Sequence, residues 1–384
     1  MLYDVIIVGA GSMGMAAGYY LTESGQTVAL VDAFDPPHEA GSHHGKTRLI
    51  RHAYGEGSSY VPLVLHAQNL WEELDKKTEE RIFAKTGVLN FGLKGSTFLN
   101  TVEQSAKKHQ LPLQIMSAEE INQYWSGFQL NKGLIGYFES NSGVLFSENA
   151  IRTYRILAEK NGADVYTNSH IQSIDTQTDQ VTVQLEGEKL TGKKLLITAG
   201  KGTNQVTSLL NIKLPLTPLR KTFSWLNAAQ NSHYKEGVFP GWSYADENST
   251  YYGFPNMDGT GLKIGRHDGG RPLDDPQELE PFDSYPEDEH EVVDFVRKHF
   301  SKNIELSEGK VCTYTSTPDE DFIIDYLPGY ENILVACGFS GHGFKFASGI
   351  GDSLAKMLMY KEPAVSLENF RLNRFSDSFS FFSK

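Results

Sequence analysis

The stretch that decides the fold is Val8-Gly9-Ala10-Gly11-Ser12-Met13-Gly14, which has the pattern G-x-G-x-x-G. Apolar residues at 3–8 predict a strand before it, and residues 12–24 have the apolar spacing of a helix. Residues 27–31 predict a second strand, so the chain opens with a βαβ unit. The pattern alone is weakly specific, but its position between a strand and a helix is typical of a phosphate-binding turn.

Each glycine of this motif meets a geometric requirement of dinucleotide binding. Gly9 permits the tight turn, Gly11 lets the backbone approach a pyrophosphate, and Gly14 lets the helix pack on the sheet. The helix N-terminus adds N–H donors and partial positive charge for the phosphates. Asp32 follows the second strand, where a carboxylate accepts ribose hydroxyls. An adenine dinucleotide site is therefore favoured over an ordinary glycine turn with a surface aspartate.

Length and charge give coarse limits. A chain of 384 residues is too long for one ordinary core, so we expect two domains. The net charge is −13, and ten acidic residues lie between Asp274 and Asp294, a stretch without Lys or Arg. A solvated loop and helix start is the favoured interpretation of this patch. The acidic balance argues against nucleic-acid and anionic-membrane partners.

The two cysteines, Cys312 and Cys337, are too few for a disulfide framework and are typical of a reducing compartment. The chain begins without a basic segment of a signal peptide, and no apolar run is long enough to span a bilayer. These features predict a cytoplasmic protein. No metal site is assigned.

Further along the chain, the α/β pattern is interrupted and then resumes. Residues 33–58 form a long irregular stretch, rich in Gly, His and Pro, of a length that is usually functional. Strands and turns dominate residues 216–311, with one acidic helix at 287–300. Residues 332–336 predict a strand, followed by a Gly-rich turn and a helix at 344–360. This return favours FAD over NAD, because the flavin end of a long buried cofactor needs a second loop and helix.

Several longer motifs are similar to those of one family. They are SHHG (42–45), TRLIRHAYGEG (47–57), YYGFP (251–255), KIGRH (263–267), CTYT (312–315), GFSGHGFK (338–345), VDAFDPPH (31–38) and SGVLFSEN (142–149). Over nearly its whole length the chain closely resembles the family of monomeric sarcosine oxidase and N-methyl-L-tryptophan oxidase, which are FAD-dependent amine oxidases. The last two motifs lean toward the sarcosine oxidase branch.

The resemblance implies an α/β fold of two domains. One is a Rossmann-like FAD-binding domain, and the other is an inserted substrate domain built on a mainly antiparallel sheet. We expect the FAD-binding domain to comprise 1–85, 147–215 and 312–384, and the substrate domain to comprise 86–146 and 216–311. A monomer is expected.

The family oxidises an N-methyl group by transferring a hydride equivalent to the flavin, and reduces O₂ to H₂O₂. The imine product hydrolyses to formaldehyde and the demethylated amino acid. For this chain the resemblance implies sarcosine or a close analogue as substrate, and a bulkier N-methyl amino acid such as N-methyltryptophan is the first alternative. Two other possibilities are a dehydrogenase that passes electrons to a carrier and a non-enzymatic nucleotide-binding protein.

The resemblance also implies which residues contact the cofactor. Cys312 matches the cysteine that the family joins to the flavin by a thioether, although a cysteine in a strand is, by itself, more often a small buried hydrophobe. His44, Thr47 and Gly341 match residues that line the flavin. Arg48 is expected nearby, against the flavin's face.

Other matches concern the substrate and oxygen. Arg51 and Lys345 match the pair that holds the substrate carboxylate. His267 and Tyr252 match substrate-pocket residues, the histidine near the amine and the tyrosine hydroxyl over the ring. Lys263 matches the oxygen-activating lysine, although strand periodicity alone favours a solvent-facing side chain. Lys345 is expected in the first turn of a helix, where a lysine opposes the macrodipole and a bound anion would explain it.

Three positions depart from the family pattern. Lys46 stands where relatives usually carry Asp, which would change the charge of the flavin loop. Ser243 stands where sarcosine oxidase carries a methionine over the substrate, and the smaller side chain would open the pocket. Gly202 stands where a tryptophan is common, at a position expected to be structural.

Overall fold

The computed structural model describes residues 1–177, 179–227, 232–300 and 304–378. Within these ranges the α-helices α1 to α8, in chain order, are Ser12–Glu23, Val61–Asp75, Thr97–Lys108, Ala118–Tyr124, Ser147–Lys160, Thr203–Ser208, Glu287–His299 and Ala347–Leu358. The strands β1 to β20, also in chain order, are Leu2–Val8, Val28–Val31, Thr47–Ile50, Phe83–Ala84, Val88–Leu93, Gln114–Ser117, Leu134–Glu139, Gly143–Phe146, Asp164–Tyr166, Ile171–Gln177, Gln180–Leu185, Lys189–Ile197, Thr217–Leu226, Gly241–Ala245, Thr250–Phe254, Leu262–Arg266, Arg271–Pro272, Leu306–Ser316, Ile323–Tyr326 and Ile333–Cys337.

An eight-stranded sheet contains the opening βαβ unit. Its order is β10-β11-β12-β1-β2-β9, with β20 on β12 and β19 on β20. The contacts of β1 with β2 and β12, and of β12 with β20, are parallel. Val5 and Ile7 belong to one core cluster while Ile6 and Val8 belong to another, so β1 is buried on both faces. This double burial explains why the strand reads as a continuous apolar run.

A nine-stranded sheet contains most of the remaining strands. Its order is β17-β13-β16-β15-β14-β5-β7-β6, with β18 paired along β13. The pairing of β14 with β5 is parallel, and the other pairings are antiparallel. A three-stranded sheet, β3-β8-β4, completes the strand content of the described ranges. The predicted α/β fold with a mainly antiparallel second sheet is therefore confirmed.

The division of the chain into domains stays a prediction. The boundary expected between residues 311 and 312 falls inside β18, which pairs with β13 from Leu306 to Ser316. Within the described ranges, no helix has both the length and the apolar character needed to cross a lipid bilayer.

Two local predictions are corrected. The stretch 33–58 is not wholly irregular, because β3 (Thr47–Ile50) pairs with β8, a partner nearly one hundred residues away that local sequence does not reveal. The helix expected over 344–360 begins instead as a 3₁₀ turn, Phe344–Phe346, in which the N–H of Phe346 bonds the carbonyl of Gly343. The α-helix proper is α8, which ends at Leu358.

Candidate active site

A cavity of about 500 Å³ lies where β1, β2 and the C-terminal Gly-rich turn meet. Its wall includes predicted cofactor residues from distant parts of the chain, namely Gly9, Gly11, Asp32, Arg48 and Gly341. The structure therefore brings together the opening motif, the 33–58 stretch and the turn at 338–343. Segments predicted to contact different parts of a dinucleotide therefore line this one cavity.

The glycines of the opening motif form a close-packed turn. Gly9 has a φ of 94°, and a Cβ placed on it would lie 2.5 Å from the carbonyl oxygen of Thr198. A Cβ on Gly14 would lie 2.0 Å from the carbonyl oxygen of Gly9. By contrast, the nearest atom to a Cβ on Gly11 is 3.8 Å away, so space lies open in front of that backbone. Since no side chain caps the N-terminus of α1, its N–H groups remain available to an anion.

The carboxylate of Asp32 ties the end of β2 to this turn. Its oxygens accept hydrogen bonds from the backbone N–H of Ala10 (2.8 Å) and of Phe34 (2.9 Å). His38 Nε2 lies 3.3 Å from the same carboxylate. Asp32 thus holds the glycine turn in place and also lines the cavity, while its contact with ribose hydroxyls stays a prediction.

One face of the nine-stranded sheet carries several of the residues predicted for the site. The register places Cys312 opposite Lys221 on β13, and two and four residues further along β13 lie Phe223 and Trp225. On β16, Gly265 faces Phe223 and Lys263 faces Trp225. Because alternate residues share a face, the series continues across β15 and β14 and collects Lys263, Tyr252, Ser243, Cys312 and, just beyond the end of β16, His267.

A smaller cavity of about 70 Å³ lies on this sheet face. It shares Arg48, Tyr314, Gly341 and Phe344 with the larger cavity, so the two spaces are neighbours. Its other wall residues include Arg51, Glu56, Ser243, Tyr252, Lys263, His267, Cys312, His342 and Lys345. A ligand group held where the cavities meet would contact both sets of predicted residues.

Arg51 is buried at the wall of the small cavity and pairs through Nη2 with the carboxylate of Glu56. Its Nη1 is buried and has no hydrogen-bond partner among the described residues. Burial opposes the charge of Arg51, but Glu56 outweighs it and the pKa of Arg51 is raised. For Glu56, the charges of Arg51 and Lys345 outweigh burial and lower the pKa to about 2. Glu56 was not selected from the sequence, because its importance depends on this contact across the fold.

Lys345 lies in the 3₁₀ turn that leads directly into α8, so it is at the N-terminal end of this helix as expected, although the turn itself is not α-helical. Its Nζ donates to the carbonyl of His342 (2.7 Å) and to the hydroxyl of Tyr54 (3.0 Å). Burial, followed by the charge of Arg51, lowers the pKa of Lys345 to about 7. An anion beside Lys345 would favour its protonated form.

The geometry also fixes the tautomer of His342. Its Nε2 lies 3.1 Å from the carbonyl oxygen of Glu320, which can only accept, so Nε2 carries the proton. Nδ1 therefore accepts from the hydroxyl of Tyr54 at 2.7 Å. Lys345, Tyr54 and His342 thus form one directed hydrogen-bond chain. Tyr54 and His342 lie within the motifs quoted above, but sequence reasoning gave them no role.

Lys263 is only 3% exposed, so the solvent-facing orientation favoured by periodicity is wrong. Its Nζ donates to the carbonyls of Gly45 and Thr47 and lies 3.4 Å from the Thr47 hydroxyl. The rings of Phe223 and Phe254 lie 4.7 and 4.9 Å from Nζ. Burial depresses the pKa of Lys263 well below its ordinary value. The strand carries a buried lysine because both of its faces are covered.

His267 and Tyr252 both line the small cavity, while their contacts with substrate and flavin stay predictions. Burial lowers the pKa of His267 to about 4, so its imidazole is neutral at neutral pH. Tyr252 and Tyr314 line the small cavity together, and burial raises the pKa of both hydroxyls. Tyr314 was not selected from the sequence, yet it contacts both cavities, and a Cβ on Gly341 would lie 2.1 Å from its ring. Gly341 is therefore required by a close approach of backbone to an aromatic ring.

The remaining predicted cofactor residues are His44, Thr47 and Arg48 on the 42–50 segment and Cys312 on β18. Arg48 donates to the carbonyls of Ser42, His44 and Thr47. His44 is buried, and neither of its ring nitrogens has a hydrogen-bond partner among the described residues. Cys312 is 4% exposed, and burial raises the pKa of its thiol.

The three departures from the family pattern have different surroundings. Lys46 adopts a φ of 69° and its Nζ bonds Asp258 at 2.7 Å, so its charge is compensated near the surface. Ser243 is buried at the small cavity and donates to Asn90 Oδ1 at 3.3 Å. Gly202 lines the large cavity, where a Cβ would meet only Gln205 Oε1 at 3.5 Å.

These features fit FAD. The glycine turn leaves room for a pyrophosphate, Asp32 lines the same cavity, and the large cavity adjoins the small one, on whose wall Cys312 lies. Fold and site together define a flavin-dependent oxidoreductase.

Sequence comparison gives the family. Residues 4–357 match the model of the DAO family, FAD dependent oxidoreductase, and the chain belongs to this family. It is 45% identical over 374 residues to monomeric sarcosine oxidase of Bacillus sp. (strain B-0618), covering 97% of this chain and 96% of that protein. It is 44% identical over 377 residues to N-methyl-L-tryptophan oxidase of Citrobacter koseri, covering 98% and 100%.

The fold is shared more widely. The crystal structure of L-proline dehydrogenase from P. horikoshii superposes with a TM-score of 0.87 at 17% identity and covers 98% of both chains. Likeness at this level of identity concerns the architecture alone.

The packing of the glycine turn gives a first prediction. Gly14→Ala should lower FAD affinity at least about tenfold, since a methyl pressed against backbone costs about 1–3 kcal/mol. The flavin-to-protein ratio of purified protein measures this. Gly202→Ala is the matched control, because its methyl would meet only Gln205 Oε1, at an ordinary contact distance of 3.5 Å. Equal flavin content in both variants would contradict the assignment of the turn.

Proposed function

We propose that the protein oxidises sarcosine or a close N-methyl amino acid with O₂ as acceptor, giving the amino acid, formaldehyde and H₂O₂. The observation that carries this proposal is the small cavity, which has two buried cations, Arg51 and Lys345, on its wall and adjoins the large cavity. A substrate carboxylate fits such a pair. The identities of 45% and 44% to N-methyl amino acid oxidases support the same reading.

Arg51 and Lys345 would bind the substrate carboxylate. Among the described residues, Arg51 Nη1 has no hydrogen-bond partner and the Lys345 ammonium bonds only neutral oxygens, so both can donate to an additional anion. Hydrogen bonds from charged donors to a carboxylate are stronger than neutral ones. This contact would hold the substrate in the cavity that His267 and Tyr252 also line.

His267 would hold the amine in its reactive form. Loss of hydride from an N-methyl group requires the neutral amine, and a neutral imidazole can accept a hydrogen bond from the N–H. When bound, FAD takes up the hydride equivalent and passes the electrons to O₂. Lys263 would stabilise the negative charge that develops as O₂ is reduced, a preorganised electrostatic effect. Its buried position on the cofactor-facing sheet surface supports this role.

We also propose that Cys312 is joined to FAD by a thioether. Cys312 lines the small cavity beside residues shared with the larger one, which supports an approach to the flavin edge. In this step the S–H bond and one C–H bond of the 8α-methyl group break and a C–S bond forms. The two electrons and two protons released pass to O₂ and give H₂O₂.

Substrate size is the remaining choice. A cavity of about 70 Å³ has room for only a few water-sized groups, which suits sarcosine better than an amino acid with an indole ring. The small side chain of Ser243 favours the alternative, a bulkier N-methyl amino acid such as N-methyltryptophan. A cytoplasmic monomer completes the proposal, supported by two free, buried cysteines and by the name of the sarcosine oxidase relatives.

Turnover measurements test the function directly. Oxidation of sarcosine should release H₂O₂ in equal amount to substrate consumed, with a higher kcat/KM than for N-methyltryptophan. A reversed preference would establish the alternative substrate. Substrate loss without H₂O₂ would indicate a dehydrogenase and refute the oxidase.

The carboxylate pair generates a prediction on binding. Arg51→Ala or Lys345→Ala should raise KM for sarcosine at least about tenfold, since loss of a charge-assisted contact costs about 1.5–3 kcal/mol. An N-methyl amine without a carboxylate serves as the control substrate, and its KM should change little. If KM for sarcosine stays constant in both variants, the assignment is wrong.

The pKa of Lys345 predicts a pH dependence. Lys345 is protonated below a pKa of about 7, and a bound carboxylate favours that form, so affinity is full below pH 7 and falls as pH rises above it. Titration of the flavin spectrum with acetate, which has no amine to titrate, measures this. His267 and Glu56, with pKa values of about 4 and 2, do not titrate in this window. Lys345→Met should bind acetate weakly and remove the dependence; a dependence that persists would exclude Lys345 as its source.

The role proposed for Lys263 predicts different effects on flavin reduction and on flavin reoxidation. Lys263→Met should slow reoxidation of the reduced flavin by about 100-fold, the scale of losing one preorganised electrostatic contact, while flavin reduction changes much less. Stopped-flow absorbance resolves the two steps. Equal slowing of reduction and reoxidation would refute a specific role in oxygen reduction.

A further inference from the structure

A second lysine lies on the sheet face beside Cys312. Lys221, on β13, is directly opposite Cys312 on β18, so their side chains leave the sheet on the same side. Lys221 is 4% exposed, and its Nζ lies 5.4 Å from the ring of Tyr314, two residues beyond Cys312. The substrate and oxygen roles proposed above do not use this lysine.

The contacts of Lys221 leave its charge uncompensated. Nζ donates to the carbonyls of Asp268 and Gly269. The nearby carboxylates of Asp268 and Glu291 are engaged by Arg266, at 2.6 and 2.5 Å. No described carboxylate forms an ion pair with Lys221. A buried ammonium ion without an anionic partner is unfavourable, and a neighbouring anion would relieve that cost.

Four cations oppose the effect of burial on the pKa of the Cys312 thiol: Arg48 most, followed by Lys221, Lys263 and Arg220. Arg220 is neutralised by its two hydrogen bonds to Asp288. Arg48 and Lys263 donate to backbone carbonyls and the Thr47 hydroxyl, as Lys221 donates to carbonyls. Burial lowers the pKa of Lys221 only to about 8, so Lys221 keeps its proton at neutral pH.

We infer that Lys221 is a positioning residue for covalent flavin attachment, which it promotes by holding a positive charge beside the sulfur of Cys312. The inference rests on the thioether proposed above. Attachment requires the thiolate, because the thiol is a poor nucleophile. Burial alone favours the neutral thiol, and a cation directly across the strand pair opposes that effect.

The test uses full-length chains produced under riboflavin limitation and then supplied with FAD in air. Attachment is followed as the mass increase of the denatured polypeptide, from neutral to alkaline pH. The variants are Lys221→Met and Lys221→Arg, with Cys312→Ser as the blank. Lys310→Met is the matched control, because Lys310 lies on the same strand and face as Cys312 and its charge is already paired with Glu39 at 2.7 Å.

The Lys221→Met chain should bind FAD but attach it at least about tenfold more slowly at neutral pH, the effect of one pKa unit, and should recover as pH rises. The Lys221→Arg and Lys310→Met chains should attach FAD at the wild-type rate. Attachment by Lys221→Met at the wild-type rate and with the wild-type pH profile would overturn the inference. A second neutral variant, Lys221→Gln, separates attachment from folding. If neither Lys221→Met nor Lys221→Gln takes up FAD, the inference is also overturned, because the lysine would then serve folding.

A wild-type chain that never gains the mass of FAD would remove the thioether proposal together with this inference. Release of H₂O₂ from sarcosine by that same sample would leave the oxidase proposal intact. The two failures are therefore distinguishable in one preparation.

Discussion

The site depends on the cost of burying positive charge. Four cationic side chains lie on or beside the wall of the small cavity, each less than 10% exposed: Arg51, Lys221, Lys263 and Lys345. Among the described residues, Arg51 alone of these four has a carboxylate partner, Glu56. Isolated charges are strongly disfavoured away from water, so this arrangement favours an anionic ligand. Burial lowers the pKa values of Lys221, Lys263 and Lys345 for the same reason.

One buried acid, Glu139, partly compensates the positive charge of Arg51. Glu139, at the end of β7, is 2% exposed and accepts hydrogen bonds from the backbone N–H groups of His52 and Ala53, both at 2.8 Å. It also accepts from Asn90 Nδ2 at 2.7 Å. These bonds fix the backbone immediately after Arg51, and the carboxylate adds negative charge that raises the pKa of Arg51. Since Asn90 accepts a hydrogen bond from Ser243, the same network reaches the wall of the small cavity.

The sequence predicted those elements whose causes are local. The βαβ unit, the glycine turn and the ends of α1 and α7 follow from spacing and packing within a few residues of each other. The S-x-x-E pattern at Ser117 and Glu120 is equally local, and it forms a capping box with both of its hydrogen bonds. The candidate site was predictable mainly through family resemblance, because its residues come from segments hundreds of positions apart.

What sequence reasoning missed depends on contacts across the fold. Glu56 matters because Arg51 faces it, Tyr314 because Gly341 packs on its ring, and Lys221 because β13 pairs with β18 in one register. Periodicity placed Lys263 in solvent because alternation assumes one wet face of the strand, whereas the second face of this sheet is covered by the 42–50 segment.

The meeting of two sheets explains why the chemistry lies at this point. The eight-stranded sheet presents its glycine turn and Asp32 to one end of the large cavity, while the nine-stranded sheet presents Cys312, Lys263 and Tyr252 to the small cavity. Arg48 and Tyr314 belong to both walls, and the carbonyl contacts of Arg48 hold the 42–47 segment between the sheets. Under the proposed function, a long cofactor bound at the glycine turn would bring its far end to the junction of the two cavities. Its reactive ring would then lie beside the buried cations of the small cavity, to which an anionic amine would bind.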